Sequence, residues 1–295
     1  MRSSTPNGLP EPVAAMRRFN RASVLFDEAD AVHQLARERL FERLQLLKFE
    51  PSIVIDLGAA TGKASVDLAA EFPKAQTFAI DRSLAMLAKA KTRRGDDGLF
   101  TVLAGCAENL PFSNNTVDLI FANLLLPWCV PDLFFAEAAR VLREDGLLSF
   151  STVGPDTLIE VRRAWASVDD AIHVHGFVDM HDIGDLALRA GLTEPVMDVD
   201  RIKVTYKDVG SFVADVRACG AGNVAAGRRA TYTSRGRWAA FGDALESMRR
   251  DGRFVLTVEL IFGQVWGRSR IEDRSKDTAE ATYSLAKMRR QLGQD

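Results

Sequence analysis

A short turn rich in small residues is the first place where this sequence could hold a ligand. The apolar run 53–55 leads into residues 56–62, whose sequence is Asp-Leu-Gly-Ala-Ala-Thr-Gly. Small residues after a buried strand let the backbone approach a nucleotide at the N-terminus of the next helix. A dinucleotide-binding turn that begins at Gly58 would also need glycines at positions 60 and 63, where the sequence has Ala60 and Lys63. The turn therefore predicts a nucleoside ligand other than a dinucleotide.

A second candidate ligand-binding side chain is Asp81, which follows the apolar segment 75–80. A carboxylate about 20 residues after such a turn can accept hydrogen bonds from both hydroxyls of a ribose. The alternative is an aspartate that only stabilises the N-terminus of the helix capped by Ser83. The turn upstream favours the ribose role, and Arg82 belongs to the same predicted site.

Strands and helices alternate through the first half of the chain. Apolar runs bounded by turn residues predict seven strands, at 53–55, 75–80, 99–103, 117–121, 146–152, 195–206 and 253–266. Apolar spacing and helix-capping residues predict helices at 62–71, 83–93, 133–142, 156–168, 179–190, 208–220 and 237–250. Residues 17–47 are predicted to form two more helices, broken near 27–30. This order predicts a doubly wound α/β fold whose seven-stranded sheet is mostly parallel, with a helical insertion before the last strand.

Composition restricts the class of protein. The chain is 47% hydrophobic and 26% charged with a formal net charge of −2, which is typical of globular proteins and excludes a fibre or a nucleic-acid binder. The first twenty residues contain three prolines and no apolar run, and no segment approaches the roughly 18 apolar residues of a membrane helix. We therefore expect a cytoplasmic protein without a membrane contact. The three cysteines lack metal-ligand spacing, so no metal site is expected.

Positive charge is concentrated near the C-terminus. Residues 201–295 contain 18 Lys/Arg and 11 Asp/Glu, an excess of seven positive charges in a chain whose net charge is −2. Such an excess is most often a solvated helix surface, and it can also steer an acidic partner or substrate towards the protein.

The glycine turn and several later segments carry a family resemblance. The acidic-x-G-x-G-x-G pattern of S-adenosylmethionine (SAM) dependent methyltransferases is matched at Asp56, Gly58 and Gly62 and missed at Ala60, which favours SAM over NAD. Residues 18–266 resemble the malonyl-acyl-carrier-protein O-methyltransferases of biotin synthesis, which have the Rossmann-like class I methyltransferase fold. The segments that carry this resemblance are 19–22, 108–112, 123–124 with Trp128, 154–158, 179–185 and 251–253.

The resemblance implies methylation of the free carboxylate of a malonyl thioester on acyl carrier protein. A carboxylate is already ionised at neutral pH, so no general base and no catalytic residue is assigned, and catalysis rests on positioning and desolvation. Acyl carrier proteins are acidic, so the basic C-terminal third suits docking through Arg228, Arg229, Arg235 or Arg237. The implied domains are N-terminal helices over the active site (1–48), a methyltransferase domain (49–267) with its helical insertion (208–250), and a charged tail (268–295).

The resemblance also implies two sets of site residues. The cofactor-binding set is Asp56, Gly58, Ala60, Gly62, Asp81, Arg82, Cys106, Ala107, Glu108, Asn123 and Leu124. The substrate-binding set is Phe26, His173, Phe177, Arg228 and Arg229. Five positions depart from the family pattern, namely Ala60 for Gly, Cys106 for Asp, Phe26 for Tyr, Gly176 for Arg and Pro127 for Gln. For His173 and His175, substrate contact and a place in a solvent-edge loop are equally open.

Two other functions remain to be distinguished. The segment 154–158 and the late motifs are also similar to those of methyltransferase-fold assembly factors or hydroxylases of respiratory complex I. The segment 19–22, and an N-terminal stretch without a transit-like pattern, favour the biosynthetic enzyme. Ala60 and Cys106 favour a third possibility, a degenerate protein with the SAM-binding fold that acts by binding alone and catalyses no reaction.

Overall fold

Two helices precede the sheet. The computed structural model describes residues 8–96, 98–229 and 231–268 of the 295-residue chain. Helix α1 (Pro12–Ala22) begins at a proline, and helix α2 (Ala31–Gln45) follows after a short 3-10 turn at Phe26–Glu28. Proline is well placed in a first helical turn, where its missing N–H would have no partner. The turn confirms the predicted break between two N-terminal helices.

A single seven-stranded sheet forms the centre of the molecule. Its strands lie in the order β3-β2-β1-β4-β5-β7-β6, and only β7 runs antiparallel to its neighbours. The strands are β1 (Ile53–Leu57), β2 (Gln76–Asp81), β3 (Thr101–Ala104), β4 (Val117–Asn123), β5 (Leu142–Val153), β6 (Thr193–Tyr206) and β7 (Phe254–Trp266). The predicted doubly wound, mostly parallel fold is confirmed.

Helices cover both faces of the sheet. They are α3 (Lys63–Glu71), α4 (Leu84–Arg94), α5 (Pro131–Val141), α6 (Ile159–Ala166), α7 (Met180–Arg189), α8 (Val209–Ala218) and α9 (Arg235–Glu246). Successive side chains of β1 point to opposite faces, so Ile55 packs with α5 and α7 while Val54 packs with α2 and α3. Burial on both faces explains why the central strands read as continuous apolar runs.

The helical insertion stands above one edge of the sheet. Helices α8 and α9 lie between β6 and β7, and they pack with α6 around Trp165 and Phe241, whose stacked rings are 4.2 Å apart. Strand β6 runs parallel to β5, because both are antiparallel to β7. The insertion therefore follows the carboxyl end of β6, on the same side of the sheet as the carboxyl ends of β1, β2 and β4. Open α/β sheets bind ligands on this side.

One predicted helix starts later than its sequence suggests. The pattern predicts a helix from residue 156, whereas α6 begins at Ile159. The backbone N–H of Asp156 donates to Oε2 of Glu259 at 2.9 Å, and that of Leu158 donates to the carbonyl of Thr257 at 2.8 Å. These bonds tie 156–158 to β7, which local helix propensity cannot anticipate. The charged tail predicted at 268–295 lies outside the described residues apart from residue 268.

Candidate active site

The turn after β1 requires glycine at two positions. Gly58 and Gly62 have φ angles of +76° and +81°. A Cβ atom at Gly58 would lie 2.8 Å from Cδ1 of Leu125, and one at Gly62 would lie 3.0 Å from Cβ of Ala90. Ala60 between them has a φ of +47°, a left-handed conformation that is strained for alanine. The backbone of the turn therefore keeps a glycine-type geometry at the position where the sequence departs from the pattern.

The carboxylate of Asp81 closes the turn from the neighbouring strand. Its Oδ2 accepts from the backbone N–H of Ala60 at 3.0 Å, and its Oδ1 accepts from that of Ser83 at 2.7 Å. Burial raises the pKa of this carboxyl, and the two backbone donors oppose the rise. Asp81 thus lies at the end of β2 beside the turn, as expected from the sequence.

Around these groups lies an open cleft. Its lining combines small residues at the strand ends with aromatic residues from the N-terminal helices. The predicted cofactor-binding residues that line it are Gly58, Ala60, Asp81, Arg82, Ala107, Asn123 and Leu124.

Four predicted cofactor-binding residues lie behind this lining rather than in it, namely Asp56, Gly62, Cys106 and Glu108. Asp56 is buried and accepts a 2.5 Å hydrogen bond from the Ser65 hydroxyl, and burial raises its pKa to about 7. The Cys106 thiol donates to Oε2 of Glu108 at 2.5 Å, and burial raises the pKa of the thiol. The thiol of Cys106, which the resemblance places in the cofactor-binding set, is therefore already bonded to the Glu108 carboxylate.

The N-terminal helices form one wall of the cleft. Asn20 accepts from the Ser83 hydroxyl at 2.7 Å, which fastens α1 to the start of α4. The Phe19 ring meets Trp128 edge-on with centroids 5.0 Å apart. Phe26, predicted to bind substrate, is instead buried on the cofactor side, where it packs with Met86 and Ala60. Phe26 is the first residue of the 3-10 turn, and its tertiary contact with Met86 places it on this side.

A second, larger cavity adjoins the cleft. His33, Leu124 and Trp128 line both spaces, so they form a shared boundary. We call this space the acceptor cavity, after the methyl acceptor that the sequence resemblance implies. Its lining comes mainly from α6, the loop before α7, and the helical insertion. Its charged members are four arginines and a single carboxylate: Arg18, Arg217, Arg228, Arg229 and Asp215. The acceptor cavity therefore has an excess of positive charge.

The arginines of this cavity differ in how they are paired. Nη1 of Arg228 lies 3.1 Å from Oε2 of Glu11, and Nη2 of Arg229 lies 3.1 Å from Oδ2 of Asp169. Arg18 contacts no carboxylate within the described part of the chain, and its Nη2 donates to the backbone carbonyl of Asn223 at 3.1 Å. Burial lowers the pKa of Arg18, and neighbouring arginines add to the effect. An arginine remains charged, so an anion entering the cavity would compensate it.

The two histidines near residue 175 occupy different environments. His173 stacks on Trp165 at 3.6 Å, and its Nε2 lies 2.8 Å from Oδ1 of Asp169. His175 is buried, and its Nε2 accepts from the backbone N–H of Val224 at 2.7 Å. Burial lowers the pKa of His175 to about 4, so it is neutral at pH 7. The solvent-edge expectation is wrong for His175. Both rings line the acceptor cavity, as does Phe177.

Two residues of the site, His33 and Arg18, are absent from the predicted binding sets. His33 lies within a predicted helix, and only the meeting of α2 with the end of β4 brings it to the boundary of both spaces. Arg18 is one of several helix arginines, and its pairing with Asn223 spans 205 residues of sequence. Neither position could be recognised without the tertiary contacts.

The cleft suits an adenosyl ligand in its donor set. Asp81 is a carboxylate held by backbone donors at a strand end, where ribose hydroxyls can bind. Small residues at the turn and at Gly105 and Ala107 leave room for a planar base. In the described segments no helix could cross a bilayer and no cluster of metal-ligating side chains occurs.

Fold and cleft define the class as a SAM-dependent methyltransferase. A family model described as a methyltransferase domain matches residues 55–150. The structure of the YcgJ protein from Bacillus subtilis has a TM-score of 0.55 at 16% identity, covering 78% of this chain and 98% of its own, which supports the fold alone.

Curated relatives narrow the class to a family. The malonyl-[acyl-carrier protein] O-methyltransferase of Laribacter hongkongensis is 39% identical over 84% of this chain and 86% of its own length. That of Gallionella capsiferriformans is 38% identical over 85% of this chain and 90% of its own. The chain belongs to the malonyl-[acyl-carrier protein] O-methyltransferase family, and it is an enzyme that uses SAM.

Proposed function

We propose that this chain methylates the free carboxylate of a malonyl thioester carried on acyl carrier protein, in the cytoplasm, at the early pimeloyl stage of biotin biosynthesis. The observation that carries the proposal is the cationic acceptor cavity, which shares a boundary with the cofactor cleft at His33, Leu124 and Trp128. An anionic acceptor entering from this side reaches the cleft through an environment that favours its charge. The names of the relatives supply the identity of the acceptor.

The proposed cofactor contacts follow from the geometry of the cleft. Asp81 would accept hydrogen bonds from the ribose hydroxyls, and the backbone from Gly58 to Gly62 would contact the methionine part of the ligand. When bound, SAM supplies a sulfonium methyl carbon that a carboxylate oxygen attacks, and the electron pair of the broken carbon–sulfur bond stays on sulfur. No proton moves, which agrees with the absence of an assigned general base.

The apolar walls of the site contribute by excluding water. Phe19, Phe26 and Trp128 line the cleft beside the shared boundary. Opposite charges on acceptor and cofactor disappear together in this reaction, so the transition state is less polar than the reactants. Loss of water from the ionic reactants therefore lowers the barrier, provided that the acceptor is held in line.

We assign the anionic group of the acceptor to Arg18 in the first place. Arg228 and Arg229, the predicted substrate-binding arginines, each have a carboxylate partner, whereas the Arg18 guanidinium has only a carbonyl oxygen as its described partner. A cation without an acidic partner gains most from a bound anion. Arg228 lies close enough to lower the Arg18 pKa, so it adds to the positive potential.

Docking of the carrier protein is assigned to the basic insertion. Arg235 is exposed at the start of α9, and Arg237 in the next half-turn lies 3.5 Å from Asp169. The change Arg235→Glu is expected to raise the KM for the carrier-bound acceptor and leave turnover of a malonyl-pantetheine unchanged. Lys74→Glu, at the opposite edge of the sheet before β2, is the control. Equal effects of both reversals would remove the docking assignment.

A methyl-transfer assay with labelled SAM tests the proposal directly. Malonyl-acyl-carrier protein should become labelled, whereas acetyl-carrier protein should not, because it has no carboxylate to accept the methyl group. Succinyl-carrier protein tests the depth of the acceptor cavity. Labelling of none of the three, in a chain that binds SAM, would contradict the proposed substrate.

The respiratory-complex alternative is not favoured, because the relatives that cover about 85% of the chain carry the O-methyltransferase name. Complementation of a biotin auxotroph distinguishes the two, since an assembly factor would not restore growth. Ala60 has a left-handed φ, so the turn keeps its geometry with alanine. Ala60 is therefore a weaker argument for the third possibility, a protein that acts by binding alone.

A further inference from the structure

His33 lies at the boundary between the two spaces of the site. It is on α2, and its ring lines both the cofactor cleft and the acceptor cavity. Its Nδ1 is buried and has no hydrogen-bond partner among the described residues. Its Nε2 has no hydrogen bond to those residues either. The nearest aromatic neighbour is Phe26, with ring centroids 5.0 Å apart. A histidine with an idle donor therefore stands where acceptor and cofactor must meet.

We propose that the neutral imidazole of His33 donates a hydrogen bond to the acceptor carboxylate and holds its attacking oxygen in line with the cofactor methyl group. The proposal rests on the proposed function for the identity of the acceptor. It gives His33 a substrate-orienting role that is separate from the charge attraction of Arg18.

The unpartnered ring is the first argument for this role. A buried polar atom without a partner destabilises a folded chain, so native structures satisfy nearly all of them. The backbone around His33 is already held, because Asn123 Nδ2 donates to the His33 carbonyl at 3.0 Å and Asn123 Oδ1 accepts from the Ser151 hydroxyl at 2.7 Å. These bonds hold the backbone of His33 in place and use neither ring nitrogen.

The charge state of the ring is the second argument. Burial lowers the pKa of His33 to about 4, with Arg37 and Lys63 adding to the effect and Asp30 opposing it. The imidazole is therefore neutral at pH 7 and has one N–H donor in either tautomer. Methyl transfer removes the negative charge of the acceptor oxygen. A cation at this point would stabilise the reactant carboxylate more than the transition state, whereas a neutral donor orients it at a smaller cost.

Two substitutions separate the donor from the shape of the ring. His33→Phe keeps a planar ring and removes the donor, and His33→Gln keeps a neutral donor. In the labelled-SAM assay, His33→Phe should lower kcat/KM for malonyl-carrier protein by about 10- to 100-fold, the value of one hydrogen bond to a charged group. His33→Gln should recover most of this loss. Binding of S-adenosylhomocysteine should stay within about threefold of the wild-type Kd in both variants.

The matched control is His181→Phe, which makes the same change at an exposed histidine on α7. A second measurement does not depend on turnover. In ¹⁵N-histidine spectra of the chain loaded with S-adenosylhomocysteine, malonyl-pantetheine should shift the imidazole signal that is missing from His33→Gln, whether or not the signals of His173 and His175 in the same cavity also move. This readout also serves if His33→Phe fails to fold.

The outcomes distinguish this proposal from the proposed function. A wild-type chain that shows the shift and labels no malonyl acceptor would retain the His33 contact and remove the proposed reaction. Turnover of malonyl-carrier protein without the shift, or with His33→Phe as active as wild type, would overturn the role of His33 alone. Equal losses in His33→Phe and His33→Gln with weakened cofactor binding would also overturn it, because they would indicate a purely structural role.

Discussion

The cofactor cleft and the acceptor cavity share three boundary residues and are constructed in different ways. The cleft is formed by strand ends and backbone groups close in sequence, as in the bond between Ala60 and Asp81, which are 21 residues apart. The acceptor cavity joins distant segments, since Arg18 meets Asn223 across 205 residues and His175 meets Val224 across 49. The first is a property of the sheet, and the second depends on how α1 and the insertion pack together.

Their polar groups differ in the same way. In the cleft, the carboxylate of Asp81 already accepts two backbone hydrogen bonds, so its position is fixed before a ligand arrives. In the acceptor cavity, Arg18 has no carboxylate partner within 8–96, 98–229 and 231–268. In the same residues, the buried Nδ1 of His33 has no hydrogen-bond partner. The cleft is therefore preorganised before a ligand binds, whereas the cavity keeps donors for the anionic acceptor that we propose.

The largest expected effect tests the preorganised side. Asp81→Asn keeps the shape of the side chain and replaces one acceptor by a donor that faces backbone N–H groups. The cost includes the charged hydrogen bonds to the ribose, each worth about 1.5–3 kcal/mol. We expect the Kd for S-adenosylhomocysteine, measured by isothermal titration calorimetry, to rise roughly 100-fold or more.

The control for this change is Asp132→Asn, an exposed aspartate in the first turn of α5 that lines neither space. Its Kd should equal that of the wild type. An Asp81→Asn chain that binds the ligand within threefold of wild type would contradict the ribose role and the contrast between the two sides.

A pH dependence is expected from the buried carboxyl of Asp56. Its pKa in the folded chain is raised to about 7, above the value of about 4 in the unfolded chain. The folded state therefore holds a proton that the unfolded state releases between these values. The stabilising contribution is complete below pH 4 and is lost as the pH rises through 7, at up to about 1.4 kcal/mol per pH unit.

Asp56→Asn removes this titration and keeps an acceptor for the Ser65 hydroxyl. Urea unfolding should show a variant more stable than wild type by roughly 4 kcal/mol at pH 8 and similar to it at pH 4. Because Asp56 lies behind the lining of the cleft, cofactor affinity should change much less than in Asp81→Asn. A parallel pH dependence in wild type and variant would assign the titration to another group.

The contrast between the two regions also explains what the sequence could predict. Strand periodicity and the spacing of Gly58, Gly62 and Asp81 are local signals, and they predicted the sheet and the cleft. The late start of α6 and the position of Phe26 depend on tertiary contacts with β7 and Met86. His33 and Arg18 were missed for the same reason, because a helix pattern does not tell which neighbour a side chain will meet.

A third expected effect tests the acceptor side. Arg18→Gln keeps a polar side chain and removes the charge that lies in the cavity. The KM for malonyl-carrier protein should rise about 10-fold, because a charged hydrogen bond to the acceptor is lost, while the Kd for S-adenosylhomocysteine should not change. Added salt should raise the wild-type KM more steeply than that of the variant.

Arg17→Gln is the matched control, because Arg17 is exposed on the same turn of α1. A rise of equal size in both variants would attribute the effect to the overall charge of the N-terminal helix. In that case the acceptor cavity would lack a dedicated cation, and the difference in pairing between Arg18 and Arg228 would have no functional meaning.

The smallest expected effect concerns the departure within the glycine turn. Ala60→Gly removes a Cβ from a left-handed residue, which relieves about 1 kcal/mol of strain and is partly offset by the greater entropy of the unfolded chain. The cleft also gains the space of one methyl group. We expect a thermal midpoint close to that of wild type and a Kd for S-adenosylhomocysteine that falls about two- to fourfold.

Ala59→Gly makes the same chemical change one residue earlier, where alanine is buried against Ala90 and Phe100 and has no left-handed conformation to relieve. This variant should lose stability without gaining affinity. If both variants tighten binding equally, flexibility of the turn rather than the fit of Ala60 would limit cofactor binding. If only Ala60→Gly does so, alanine costs this enzyme affinity on the side of the site whose geometry is otherwise fully formed.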